Sequence, residues 1–268
     1  MNLKSTRVIL TGAGGGIGSE VAIKLAAQGA KLALLSRNES SLCQTRERIG
    51  DCEHEPLLYP VDLLDAEARS KTVDEAMRSL GGIDILINNA GQLSFRPFAD
   101  EHPEVINRIM QLNTLVPMQL TRQVVQYMID QGKGQIVNVG STFGSIAFAW
   151  FAAYSSSKFG LRGFSEALRR ELADSGVGVT YVAPRGVKTK LNSTSIYRMA
   201  DKVKMTMDEP TWVAQRIVKG IEKGRKDIYL GFPESLFVRV NALLPRLVDG
   251  ALKKQNHQMM EFAKESLS

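Results

Sequence analysis

The stretch Thr11-Gly12-Ala13-Gly14-Gly15-Gly16-Ile17-Gly18 stands between an apolar run at 7–10 and a segment of helical spacing at 17–29. Glycine lets the chain turn tightly and approach a phosphate closely, because no Cβ intervenes. The N-terminus of the helix that follows adds free N–H groups and a partial positive charge. Strand, glycine loop and helix, in that order, form the setting in which a dinucleotide pyrophosphate is held. The spacing here is TGxxxGxG, carried by Thr11, Gly12, Gly16 and Gly18.

Outward from this loop, short apolar runs alternate with helical stretches. Strands are expected at 7–10, 31–35, 56–59, 83–87, 135–139, 177–182 and 227–230. Helices are expected at 17–29, 39–49, 66–79, 103–131, 152–174 and 211–223, with an irregular basic segment from the end of the sixth strand to about 210. Near-continuously apolar strands separated by helices argue a parallel sheet covered on both faces. The fold class is therefore α/β, a Rossmann-type doubly wound parallel sheet of about seven strands. With 268 residues and no Pro/Gly/Ser tract between two halves, one domain is expected at 1–232, with 233–268 as its C-terminal helical extension.

Tyr154 and Lys158 lie four residues apart in YSSSK, on one face of the expected helix. A free phenol has a pKa near ~10, and a neighbouring ammonium favours its ionised form. Such a pair serves as general acid toward a carbonyl or general base toward an alcohol.

Together these motifs resemble the short-chain dehydrogenase/reductase family in its single-domain form, over about 5–232. The resemblance rests on the glycine loop, Asp62 after the third strand, Asn88-Asn89-Ala90-Gly91 after the fourth, Asn113, Ser141, Tyr154 and Lys158, in that order. It implies a catalytic set of Asn113, Ser141, Tyr154 and Lys158. Tyr154 would donate the proton, Lys158 would lower the phenol pKa and hold the nicotinamide ribose, Ser141 would polarise the carbonyl, and Asn113 would hold a water linked to Lys158. It further implies cofactor contacts from Thr11, Gly12, Gly16, Ile17, Gly18, Ser36, Arg37, Asp62, Leu63, Asn89, Ala90, Gly91, Pro184, Val187 and Thr189, besides Tyr154 and Lys158. The second strand ends in Leu35-Ser36-Arg37-Asn38, without the carboxylate that would bind the ribose hydroxyls of NAD. Arg37 can pair with a 2′-phosphate, so NADP(H) is the expected cofactor. One departure stands out: Arg185 replaces the glycine that the family usually has after Pro184, placing a cation close to the cofactor or substrate entrance.

Apolar residues crowd the motifs: Phe95, Phe98, Phe143, Ile146, Phe148, Trp150 and Phe151, with Ile196, Tyr197, Met199, Met205 and Met207 in a lid-like stretch at 191–207. They suit a hydrophobic ketone, aldehyde or secondary alcohol, lipid-like or steroid-like. A 3-oxoacyl thioester is an alternative substrate. The arginines with which acyl-carrier-protein ketoreductases dock their partner are replaced here by Gly132 and Ser175, beside Lys133. A non-catalytic NADP(H)-sensing protein is the alternative of another class, disfavoured by the intact Ser141, Tyr154 and Lys158.

Charge is uneven. The net charge is +6, yet 185–254 alone holds 15 Lys/Arg against 7 Asp/Glu, a surplus of 8. No nucleic-acid recognition motif accompanies it. Beyond 233, Leu236, Phe237, Val240, Leu243, Leu244, Leu247, Val248, Ala251 and Leu252 recur at helical spacing among Arg239, Arg246, Lys253 and Lys254, and Pro245 should kink or divide the helix. Such a segment packs on its own domain, on a sister subunit, or on an anionic bilayer as a peripheral contact. The resemblance implies a homodimer or homotetramer built from the helices at 103–131 and 152–174, with Met110, Val116, Met118, Val124 and Leu168 expected on their outer faces. Two scattered cysteines, no metal-ligand spacing, no apolar signal core and no run approaching a membrane span point to a cytoplasmic protein without a metal.

Overall fold

The computed structural model describes residues 1–265. Seven parallel strands, β1 (Arg7–Thr11), β2 (Lys31–Ser36), β3 (Leu57–Pro60), β4 (Ile85–Asn88), β5 (Gly134–Val139), β6 (Val177–Ala183) and β7 (Asp227–Tyr229), pair in the order β3-β2-β1-β4-β5-β6-β7. Helices α1 (Gly16–Ala26), α2 (Glu39–Ile49) and α8 (Pro210–Glu222) cover one face, and α3 (Ala66–Leu80), α5 (Val116–Asp130) and α6 (Ala152–Glu171) cover the other. The two-residue period of a strand drives this layering. In β1, Val8 and Leu10 enter the core beneath α1 and α8, while Ile9 enters the core beneath α3 and α5. All three are fully buried, at about 1.5–3 kcal/mol per side chain of this size.

Strand order reverses between β1 and β4, and in open sheets of this kind ligands bind beyond the carboxyl ends of the strands at that point. Thr11, Asn88 and Val139 end the strands there.

The expected long helix at 103–131 is interrupted. It comprises α4 (Pro103–Met110), a π turn (Gln111–Leu115) and α5. Its assumed outer face is corrected as well. Val116, Val124 and Leu168 point into the core, whereas Leu115, Met118 and Tyr127, with Phe159 of α6, are the exposed apolar residues. The segment expected to be irregular contains a further helix, α7 (Thr194–Lys202). The Ser193-Thr194-Ser195 cluster that reads as loop is its cap: Ser193 Oγ accepts from the Ile196 N–H. Ile196, Met199 and Ala200 are its buried residues.

After β7 the chain forms α9 (Glu234–Leu243) and α10 (Pro245–Glu265), divided at Pro245 as expected. Met259, Phe262 and Ala263 of α10 pack with Ile196 and Met199 of α7 and with Phe95 and Phe151. Trp150 Nε1 donates to the Asn256 carbonyl at 3.0 Å, tying α10 to the entrance of α6. Residues 266–268 of the expected extension lie outside the described residues. No helix among the described residues is long and apolar enough to cross a membrane.

Candidate active site

The glycine loop closes over the end of β1. Gly12 has φ 66°, and a Cβ there would sit 2.9 Å from the Ala90 backbone. At Gly18 a Cβ would lie 2.1 Å from the Gly12 carbonyl, so α1 can seat this close to the loop only with glycine there. Thr11 Oγ1 accepts from the N–H groups of Asn89 and Ala90 at 3.0 and 3.1 Å, and Asn89 Nδ2 donates back to the carbonyls of Thr11 and Gly12. These contacts lock the β1 and β4 ends together. At Gly15 a Cβ would meet nothing within 4 Å, so the rim of the loop is open beside the N-terminus of α1. An open glycine rim over a helix N-terminus fits a dinucleotide pyrophosphate.

Arg37 borders the same cleft with Gly14, Gly15 and Gly16. It is exposed and makes no hydrogen bond or ion pair among the described residues, so its guanidinium is available to an anion. Ser36 lies beneath it, 2.8 Å from where a Gly14 Cβ would stand. Asp62 is exposed and accepts from the Leu64 N–H, while Leu63 is buried.

Tyr154, Lys158 and Ser141 meet where α6 passes the end of β5. Lys158 is buried and donates from Nζ to the Val139 carbonyl at 3.0 Å. Its Nζ lies 5.8 Å from the centre of the Tyr154 ring. Burial pushes the Lys158 ammonium down to about 8. Burial likewise pushes the Tyr154 phenol up to about 12, opposed by a hydrogen bond with Ser141. The expected lowering of the phenol by Lys158 does not appear: removal from water, which disfavours both charged forms, dominates. The phenol is thus held protonated, as a donor must be.

Ser141 Oγ also accepts from the Phe143 N–H at 3.1 Å, which starts a 3₁₀ turn, Thr142–Gly144. Sequence reasoning missed the residue that positions it. Tyr181, buried in β6, donates from its hydroxyl to the Ser141 carbonyl at 3.0 Å. The available signal was in glycines: a Cβ at Gly140 or Gly144 would lie 2.3 or 2.4 Å from Tyr181 atoms.

Asn113 sits in the π turn, a feature frequent at functional sites. Its Nδ2 donates to the Gln92 carbonyl and to Ser157 Oγ at 2.8 and 2.9 Å, and Oδ1 accepts from the Gln92 N–H at 2.8 Å. Both amide hydrogens are used, and Oδ1 keeps one further acceptor position. A Cβ on Gly91 would stand 3.2 Å from Asn113 Oδ1 and 3.6 Å from Lys158 Nζ, so Gly91 keeps the passage between them open.

The cleft, about 460 Å³, joins these parts. Of the expected residues, Gly12, Gly16, Ile17, Arg37, Asn89, Ala90, Gly91, Ser141, Tyr154, Lys158, Pro184, Val187 and Thr189 line it. Thr11, Gly18, Ser36, Asp62, Leu63 and Asn113 do not; Thr11, Gly18 and Asn113 act from behind, through the contacts just given. Leu93, Phe143, Phe151, Ile196, Met199, Met205 and Met207 supply its apolar wall. Phe143 meets Tyr154 edge-on at 6.0 Å, and Phe95 stacks on Phe151 at 4.6 Å. Phe98 and Tyr197, expected here, are exposed, and Ile146 packs instead with Val238 and Val248.

The Arg185 guanidinium borders the cleft, as expected, but it is paired. It forms two bonds to Asp208, at 2.9 and 3.0 Å, and one to Glu234 at 2.9 Å, and these partners hold its pKa above the usual range, with Asp208 the larger cause. Gly231, at φ 96°, makes room for it: a Cβ there would lie 2.5 Å from Arg185 Cδ.

Comparison with known proteins agrees with this geometry. The short chain dehydrogenase family model matches residues 6–199. The rat Dehydrogenase/reductase SDR family member 7B is 32% identical over 259 residues, covering 91% of this chain and 79% of that protein. The Ketoacyl reductase HetN of a Nostoc species is 32% identical over 253 residues, covering 92% and 88%. A short-chain dehydrogenase from Streptomyces avermitilis superimposes with a TM-score of 0.80 at 25% identity, covering 93% of this chain and 97% of that one. With the glycine cradle, the Ser141, Tyr154 and Lys158 cluster and these likenesses together, the chain belongs to the short-chain dehydrogenase/reductase family of oxidoreductases.

Proposed function

We propose that this chain reduces a hydrophobic ketone or aldehyde, or oxidises a secondary alcohol, with NADP(H) as hydride carrier. The observation that carries the reading is the convergence of Ser141, Tyr154 and Lys158 between a glycine cradle and an aromatic and methionine wall in one cleft. The nicotinamide supplies or accepts hydride when bound. Tyr154 gives its phenolic proton to the carbonyl oxygen, and Ser141 donates a hydrogen bond to the same oxygen. Lys158 has two N–H groups left after Val139, suited to a ribose hydroxyl. Its positive charge eases proton release as the phenol donates. Arg37 supports the NADP(H) preference, because an exposed, unpaired guanidinium beside the loop suits a 2′-phosphate.

A 3-oxoacyl thioester is the second reading, favoured by the likeness to a protein named as a ketoacyl reductase. The docking arginines of carrier-dependent relatives are absent at Gly132 and Ser175, and the adjacent Lys133 pairs with Asp84 at 3.6 Å, which favours a free thioester over a carrier-bound one. The exposed Leu115, Met118, Tyr127 and Phe159 support a homodimer through the α5 and α6 side, visible by light scattering at micromolar concentration. The test of function is NADPH oxidation, followed by absorbance, against hydrophobic ketones, aldehydes and acyl-CoA thioesters. Turnover of the ketones or aldehydes with NADPH preferred over NADH is expected. Cofactor binding without turnover of any carbonyl would instead indicate a sensor.

A further inference from the structure

A second cavity, about 1390 Å³, runs along the edge strand β7 between α6, α8 and α9. Ten of its lining residues are Lys or Arg, against two carboxylates, Glu166 and Asp227. Both carboxylates are already committed, to Arg170 and Arg169. Arg185 is neutralised by Asp208 and Glu234. Arg216, Lys219, Lys223, Arg225, Lys226 and Arg239 are exposed and have no carboxylate partner among the described residues. Arg216 is held over the Trp212 ring at 5.2 Å, leaving its charge at the surface.

The rim of this basic groove is apolar. Phe232, 74% exposed, and Leu236 line it, and further along the chain Leu243, 80% exposed, Leu244 and Leu247 are exposed as well. Leu236, Arg239 and Leu243 fall at i, i+3 and i+7, so cation and leucines share one stripe of α9. Several large apolar side chains exposed on one short stretch of helix mark an interaction site.

The charge decides what the partner is. A second copy joined about a two-fold axis here would set six unpaired cations against their own images, which like-charge repulsion opposes. An acidic soluble protein would meet the cations but has no general reason to accommodate Leu243, Leu244 and Leu247. An anionic bilayer meets both needs: phosphates reach the cations, and the apolar side chains enter the boundary between headgroup and acyl chain.

We propose that α9, the start of α10 and the basic groove beside β7 form a surface that sits on an anionic lipid bilayer. This surface is independent of the catalytic reading. The test is co-sedimentation of the full chain with vesicles of mixed phosphatidylglycerol and phosphatidylcholine, against vesicles of phosphatidylcholine alone. Binding to the mixed vesicles only, weakened by salt, is expected. Each cation near such a surface contributes about fivefold in partition. Replacing Arg216, Lys219, Lys223 and Arg239 together by Gln should therefore lower binding by ~10²-fold or more. A second variant, Leu243→Ser with Leu247→Ser, should lose the binding that persists at raised salt. These positions are exposed, so circular dichroism and NADPH binding should match the parent and confirm that the variants are folded. Three results overturn the proposal: no binding to mixed vesicles, equal binding to neutral ones, or parental binding by the Gln variant. So does a fall in oligomeric size in the Ser variant with no vesicle binding by the parent, which would make the patch a subunit interface.

Discussion

Replacing Arg185 by Met removes the guanidinium but keeps most of the aliphatic stem, and it isolates what the charge contributes. Three charge-assisted bonds to Asp208 and Glu234, at 2.9–3.0 Å, are lost, along with one to the Phe232 carbonyl at 3.2 Å. The side chains of Arg185 and Asp208 are only 14% and 11% exposed, so a carboxylate is left largely out of water without its counter-charge. Breaking a fully buried pair costs about 3–5 kcal/mol. Glu234 is 29% exposed and can rehydrate, which lowers the expected loss to roughly 2–4 kcal/mol. At about 2–4 °C per kcal/mol for a chain of this size, a loss near ~3 kcal/mol shifts Tm by roughly 6–12 °C. Urea unfolding followed by fluorescence of Trp150 and Trp212, run as a double-mutant cycle with Asp208→Asn, gives both the total and the coupling. Coupling of at least ~1 kcal/mol is expected for groups in direct contact. A loss under ~0.5 kcal/mol with additive single effects would refute the view that Arg185 clamps the end of β6 to the lid and the tail.

Three further outcomes follow from the site. Arg37→Ala should weaken NADPH about ten- to a hundredfold while sparing NADH, measured as Kd for each; equal losses would remove Arg37 from phosphate recognition. Burial brings Lys158 to about 8, so its ammonium is present below that pH and lost above it. The kcat/KM for NADPH reports the free enzyme and should fall as pH rises through about 8, whereas Lys158→Arg, which does not titrate there, should stay flat. The same fall in both would assign the titration elsewhere. Phe262→Ala should raise KM for a hydrophobic ketone but not for NADPH, because Phe262 packs with the α7 lid beside the apolar wall; parallel increases would mean general loosening.

The sheet was legible because β strands buried on both faces must be apolar throughout, and helices between them cannot be. Tyr154, Lys158, Ser141 and the glycine loop could be proposed together because the chemistry they suit demands fixed residue types at fixed spacing, and folding brings them to one cleft. What escaped depends on partners far along the chain. Tyr181 reads as an ordinary strand residue until folding brings it to Ser141, and the partners of Arg185, Asp208 and Glu234, lie 23 and 49 residues further along the chain. The α7 helix was hidden by its own polar cap. Val116, Val124 and Leu168 were misassigned because helical spacing shows that an apolar face exists, without showing which neighbour covers it. That the tail would lie near the lid was legible from its place after the last strand, and α10 packs there against Ile196 and Met199.

Turnover of Tyr154→Phe tests the account most directly. The substitution removes one hydroxyl, the proposed proton donor, and leaves the ring against Phe143 and the buried Lys158 in place. Single-turnover oxidation of NADPH, with a ketone accepted by the parent enzyme, isolates the chemical step from cofactor binding. A rate lower by ~10²–10⁴-fold with unchanged NADPH affinity is the expected result. A variant that retains more than about half the parental single-turnover rate would contradict the assignment of Tyr154 as general acid.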